Sequence, residues 1–205
     1  MDLARPFAVV TPTIDGDVLQ ALAGADTGFT GRGVHRLIGR RSQEGVRRAL
    51  DRLTAQGIVG AETVGASTVY RLNRAHLAAP HIEAIAQLRG ELLTRLRARL
   101  DGWEIRPAYA ALFGSAARGD MQAGSDIDLF VVRPAGVDPD DADWLDQVHT
   151  LVRDVAIWTG NDVRPVELAE DEALTAARDK RGVVADVAAD GIHLAGPSGF
   201  LRRKR

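Results

Sequence analysis

A chain of 205 residues without a single cysteine excludes disulfides, thiolate nucleophiles and cysteine-ligated zinc from the outset. No window approaches 18 uninterrupted apolar residues, and the start, MDLARPFAVV, has no long apolar run behind its arginine, so a soluble, cytoplasmic protein without a membrane partner is expected. Charge is divided between the halves: residues 1–100 hold 14 Lys and Arg against 9 Asp and Glu, residues 101–205 hold 12 against 19, and a basic half suited to nucleic acid followed by an acidic half that would repel it implies two domains.

In chain order, the pattern VLQALAG from Asp17 predicts a short helix stopped by Gly24, and TGRGVHRLIGR a second around Val34, Leu37 and Ile38. The clearest helix of this half follows. Ser42 reads as its N-cap, Val46, Leu50 and Leu53 fall at i, i+4 and i+7, and Gly57 ends the run. Arg47, Arg48 and Arg52 lie off that stripe. GIVGAETVGASTVYRL then gives two strand-like runs joined by Gly65-Ala66-Ser67, which suits a hairpin.

Three helices and a hairpin in this order resemble the winged helix-turn-helix of MarR- and ArsR-type regulators, over roughly residues 15–75, with SQEGVRRALDRLTAQGIV as the most telling stretch. The resemblance implies a DNA-binding domain over residues 1–79, with Ser42–Gln56 as recognition helix, the Gly65 turn as wing tip, and Arg47, Arg48 and Arg52 as DNA contacts. The alternative for the three arginines is a solvated helix face.

APHIEAIAQLRGELLTRLRARL places Ile82, Ile85, Leu88, Leu92, Leu96 and Leu100 on a helical spacing, which predicts one long amphipathic helix connecting two domains over residues 80–105. A homodimer is one way to bury that stripe, although the heptads are too few for a coiled coil.

The chemistry changes after Pro107. Apolar AYAALF, a Gly-Ser turn and the run DIDLFVV predict two strands, then a helix from about Asp140, a third strand in DVRPVEL, one or two helices in EDEALTAARDKRGVVADVAADG, and a last short strand in IHLAG. Apart from the basic tail LRRKR, no low-complexity segment occurs. Ile127, Leu129 and Val131 alternate with other residues, so this strand is expected to bury one face, and Asp126 and Asp128 share the other. Two carboxylates at i and i+2 repel unless a cation lies between them, and the arrangement asks for a divalent metal. The five histidines, at 35, 76, 81, 149 and 193, share no metal-ligand spacing, and Trp103, Trp144 and Trp158 are expected to be packing anchors.

GSAARGDMQAGSDIDLFVV resembles the signature of the polymerase-β-type nucleotidyltransferase superfamily, in its minimal branch, over roughly residues 106–197. The fold class implied for the whole chain is α+β: an N-terminal winged helix-turn-helix and, over residues 106–205, a nucleotidyltransferase-type mixed sheet flanked by helices. The resemblance also implies Mg²⁺ (or Mn²⁺) held by Asp126 and Asp128, and an NTP, with ATP expected, bound through Gly114, Ser115, Arg118 and Ser125. Arg118 is equally suited to pairing with Asp120. Such enzymes place a third carboxylate on a neighbouring strand, where Glu167 is the candidate; a solvent-facing strand glutamate is the alternative, and Pro165 points to an edge strand. Only nine residues follow Gly196, too few for an added lobe that would grip a small acceptor, so a protein or RNA acceptor is expected. The rival expectation is a DNA-binding regulator or antitoxin whose nucleotidyltransferase module senses nucleotide or a toxin partner without efficient turnover.

Overall fold

The structure, a computed structural model, describes residues 1–202; Arg203, Lys204 and Arg205 of the basic tail lie outside them. The chain divides into two compact units, one spanning Arg5–Arg89 and the other made of Met1–Ala4 with the chain from Gly90 onward. No helix among the described residues is long and apolar enough to cross a membrane.

In the first unit, α1 (Ile14–Ala23), α2 (Gly31–Ile38) and α3 (Gln43–Ala55) precede a hairpin of β2 (Val59–Val64) and β3 (Ser67–Leu72), and α4 (Ala79–Ala86) closes it. A two-residue strand that the sequence pattern did not announce, β1 (Phe29–Thr30), pairs with β3, giving an antiparallel sheet in the order β1-β3-β2. The expected periodicity is what fills the core: Val46, Leu50 and Leu53 from α3 meet Val18 and Leu22 from α1 and Val34 from α2. The Ser42 hydroxyl accepts from Gly45 N at 3.1 Å, satisfying one of the free amides at the start of α3. The hairpin turn is tighter than expected, because Ser67 already pairs with Val64 and only Gly65 and Ala66 remain; Gly65 takes the positive φ of 59° that a two-residue turn needs.

α1 also starts earlier than the sequence suggested, so Asp17 lies inside it rather than at its head. Asp17 is 6% exposed and meets three arginines, Arg5 at 3.1 Å, Arg40 at 2.7 Å and Arg41 at 2.7 Å. Burial alone would raise its carboxyl, but the bonds from Arg41, Arg40 and Arg5 outweigh burial and hold it below the ordinary value.

The stretch expected as one connecting helix is two. α4 ends at Ala86, Gln87 leaves helical geometry (φ −97°, ψ 9°), and α5 (Leu88–Asp101) follows. Ile82 and Ile85 serve the first core, whereas Leu92, Leu96 and Leu100 serve the second. Of the expected stripe, Ile82, Ile85, Leu92, Leu96 and Leu100 thus join the chain's own cores, and Leu88 joins neither.

The second unit is built on β4 (Tyr109–Phe113), β5 (Ile127–Arg133), β6 (Val163–Ala169) and β7 (Ile192–Ala195), in the order β6-β5-β4-β7, with β5 and β6 parallel and the other pairs antiparallel. One turn of helix, α6 (Gly114–Arg118), follows β4; α7 (Ala142–Thr159) crosses between β5 and β6; α8 (Glu170–Asp179) and α9 (Gly182–Asp190) precede β7. Asp141 caps α7, its side chain accepting from Asp143 N and Trp144 N at 3.0 and 2.9 Å.

Period-two alternation assigns the strand residues to two cores. Ala110, Leu112, Ile127, Leu129 and Val131 face Leu96 and Leu100 of α5 and Trp144, Leu151 and Val155 of α7. Tyr109, Ala111, Phe130 and Val132 face Ala173 of α8 and Val184 and Val187 of α9. The expectation of one buried face for β5 is therefore corrected: helices cover both faces, as they do on parallel strands generally. Leu129 to Val132 are buried, whereas Asp128, near the start of the strand, is only partly so.

Candidate active site

The hairpin register explains how Gly114 and Asp128, fourteen residues apart, meet. Asp128 pairs with Phe113, the last residue of β4, so the next residue, Gly114, sits directly over the aspartate. Gly114 has φ of 68°, and a Cβ built on it would overlap the Asp128 carboxylate, whose Cγ lies 3.1 Å from that position. Glycine is required twice here, by backbone conformation and by space. Ser115, half-buried, follows on the first turn of α6.

A polar network holds the loop before Asp126. Ser125 N donates to Gln122 O at 3.0 Å, Gln122 N donates to the Ser125 hydroxyl at 3.1 Å, and Asn161 Nδ2 donates to the carbonyls of Ala123 and Ser125, each at 3.0 Å. Asn161 is itself buried at 6% exposure and also accepts from the Met1 amine, which donates to Thr159 O at 3.0 Å as well. From the other side, Ile127 N donates to Asp162 O at 2.8 Å, which starts the β5–β6 ladder. Asp126 is thus fixed between two anchored neighbours. The hydroxyl of Ser125, expected at nucleotide, serves first as a staple of this turn.

The two aspartates share the face of β5 that carries Phe130 and Val132. Burial raises the Asp128 carboxyl above its ordinary value, the Asp126 charge raises it further, and Arg164 and Arg118 draw it back. A carboxylate pair in this condition is stabilised by any cation that reaches it. Its donors are hard oxygens, the chemistry that Mg²⁺ or Mn²⁺ prefers, so the pair fits a divalent ion. Arg118 is half-exposed, its Nε 3.4 Å from Asp120, which leaves it able to swing toward phosphate.

Glu167 is not brought to the pair. It stands in register with Val131, three residues along β5 from Asp128 and on the opposite face of the sheet, where Arg133 meets it at 3.4 Å. Among the described residues no group of three or more His, Cys, Asp or Glu side chains is placed to hold a metal. Pro165 does sit on an edge strand, as its missing N–H requires. The residue beside Asp128 on β6 is Arg164, and its Nη2 lies 2.9 Å from Asp126 Oδ2. Sequence reasoning missed it because its place depends on register between two strands thirty-odd residues apart.

In the first unit, the three arginines singled out on α3 are exposed and all are paired. Arg47 meets Glu44 and Asp51, each at 2.8 Å, Arg48 meets Glu44 at 2.9 Å, and Arg52 meets Asp15 at 2.8 Å. The bonds from Arg47 and Arg48 hold the Glu44 carboxyl down to about 2. The exposed face of α3 is therefore locally neutral.

The family model of the nucleotidyltransferase domain matches residues 91–179, from the first turn of α5 to the end of α8, and so includes both aspartates, Gly114 and Ser115. No curated protein matches the chain. Among solved structures, a toxin-antitoxin complex with AMP-PNP is 20% identical over 54% of this chain and 77% of the other, with a TM-score of 0.37. Two mutant forms of the toxin-antitoxin MntA-HpeT are similar: one is 18% identical over 54% of this chain and 77% of the other, TM-score 0.37, and one 21% identical over 55% and 76%, TM-score 0.34.

Proposed function

We propose that the second unit transfers a nucleoside monophosphate from an NTP, with ATP foremost, to a hydroxyl of a protein or RNA acceptor. The observation that carries this reading is the placement of Asp126 and Asp128 on one face at the start of β5, beneath a glycine that leaves the carboxylate its space, inside a stretch matching the nucleotidyltransferase family model. The acceptor oxygen forms a bond to the α-phosphorus, the bond from that phosphorus to the bridging oxygen of the β-phosphate breaks, pyrophosphate leaves with its electron pair, and the hydroxyl proton passes to solvent.

Each residue has a part that its position allows. Asp126 and Asp128 supply the oxygens that hold Mg²⁺ or Mn²⁺. When bound, the ion neutralises phosphate charge as the bonds change. Gly114 lets backbone approach the phosphates, Ser115 donates its hydroxyl, and Arg118 exchanges Asp120 for a phosphate oxygen. Glu167, on the far face and tied to Arg133, has no part in this scheme. The test is incubation of the purified protein with each NTP, radiolabelled in the α-phosphate, Mg²⁺ and cell extract. A labelled protein or RNA band, absent with Asp126→Asn or Asp128→Asn, supports the reading; no label from any NTP overturns it.

A second reading concerns the first unit, because its element order of three helices and a hairpin, with α3 exposed and capped by Ser42, is the arrangement with which a winged helix meets DNA. On this reading the chain is a DNA-bound regulator or antitoxin and its second unit senses nucleotide or a toxin. Ion pairs exposed to water contribute little, so DNA phosphates can take over Arg47, Arg48 and Arg52. The carboxylates left behind would oppose that exchange.

A further inference from the structure

We infer that Arg164 is a built-in counter-charge of the nucleotide site, standing where a second divalent cation would otherwise be needed, so that the site takes one metal ion per bound nucleotide. The inference rests on the nucleotidyl-transfer reading and adds to it a residue that neither the sequence pattern nor the family match singles out.

Three observations lead there. First, parallel pairing sets Arg164 beside Asp128 on the same sheet face, and its guanidinium reaches Asp126 at 2.9 Å. One cation is thus already placed at the pair. Second, the acids that would hold another divalent ion are elsewhere: Glu167 points to the opposite face, and Glu170 accepts from Ala135 N at 3.1 Å. No third carboxylate or histidine completes a cluster among the described residues. Third, charge points the same way. Two carboxylates and one guanidinium sum to one negative charge and one divalent ion turns that to one positive, so a second would find no net negative charge on the protein side and would have to rest on the phosphates alone.

Arginine suits the task for two reasons. Its guanidinium stays protonated at every pH of interest, so the counter-charge is permanent. Its fork of N–H groups can keep one bond to a carboxylate while another meets a phosphate oxygen. The side chain is 71% exposed and stands on the edge strand, so it has room to make that second contact. An exposed pair on a surface strand would have none of these effects on metal count or nucleotide affinity.

The experiment uses the full chain and a nucleotide with a methylene bridge between its α- and β-phosphates, which binds without reacting. Free Mn²⁺ is followed by electron paramagnetic resonance, and nucleotide affinity by calorimetry. Wild type is expected to bind one Mn²⁺ per bound nucleotide. Arg164→Ala should weaken nucleotide binding about tenfold or more, the usual effect of losing a bond to a charged group, without lowering the metal count. Arg164→Glu, which puts a carboxylate beside Asp128, should raise the count to two. Arg164 is mostly exposed, and circular dichroism checks that each variant is folded. Two Mn²⁺ per nucleotide in wild type, or Arg164→Ala binding as wild type does, overturns the inference while leaving the transfer reading in place. Wild type that binds no Mn²⁺ nucleotide overturns both.

Discussion

Gly114 and Asp128 share one volume: the bare Cα of the glycine is what leaves the carboxylate its position. Adding a methyl group there must displace the carboxylate and also strain a backbone with φ of 68°. Gly114→Ala is therefore expected to lose nucleotide binding and to destabilise the second unit by about 1–3 kcal/mol from backbone strain alone. Urea unfolding and calorimetry read the two effects. A variant that binds nucleotide normally would mean that the aspartate is not held where the geometry places it.

Asp128 gives a pH-dependent test. Its folded value is raised above the ordinary 3.8, so its protonated form favours folding below that value, and this contribution is lost as pH rises through the folded one. At neutral pH the charge is a net burden on the protein without metal. Asp128→Asn removes it, so the variant should melt higher than wild type at neutral pH, and the gap should close as pH falls below the ordinary carboxylate range. A gap of the opposite sign, or one independent of pH, would show that the carboxylate is already compensated.

Asp17 is the opposite case. Held below its ordinary 3.8 by three arginines, it contributes stability above that value, and the contribution is lost as pH falls through the folded one. Asp17→Ala removes the carboxylate on which Arg5, Arg40 and Arg41 converge, and because these arginines are themselves partly exposed to water the loss is expected to cost about 1–3 kcal/mol. The loss should appear in the melting of the Arg5–Arg89 unit and shrink in acid. Unchanged melting at neutral pH would make the cluster incidental.

The paired face of α3 makes a prediction about DNA with an unusual sign. Glu44 remains charged in any binding assay, because its carboxyl is held down to about 2. Glu44→Gln frees Arg47 and Arg48 of one partner and removes a charge that repels phosphate, so DNA affinity should rise and its dependence on salt steepen by about one unit per arginine gained. Arg47→Ala with Arg48→Ala should do the reverse. If neither variant differs from wild type on upstream DNA, α3 does not meet DNA.

What the sequence made legible was whatever is local. The cap at Ser42, the apolar spacing of α3 and the β4 and β5 runs depend on neighbours a few residues apart, and the Gly114 to Asp128 motif is contained in a single short stretch of chain. Asp17 was hidden because its partners, Arg5, Arg40 and Arg41, converge only after α1, α2 and α3 pack. Arg164 and Glu167 illustrate the same limit on one strand. Both lie in DVRPVEL, and only the register with β5 decides that the arginine faces the aspartates and the glutamate does not. The break at Gln87 was hidden because the apolar spacing runs on through it, although the residues on either side serve different cores.

Asp126 and Asp128 are expected to hold a metal with its nucleotide, and the melting temperature with and without Mg²⁺-NTP at millimolar concentration reads that binding. Ligand at a hundred times its dissociation constant stabilises the folded state by about 2.7 kcal/mol, so wild type should melt several degrees higher with at least one NTP. Asp126→Asn and Asp128→Asn should fold and lose that gain. No rise for wild type with any Mg²⁺-NTP, or an equal rise in both variants, would mean that the aspartate pair does not hold the metal and nucleotide.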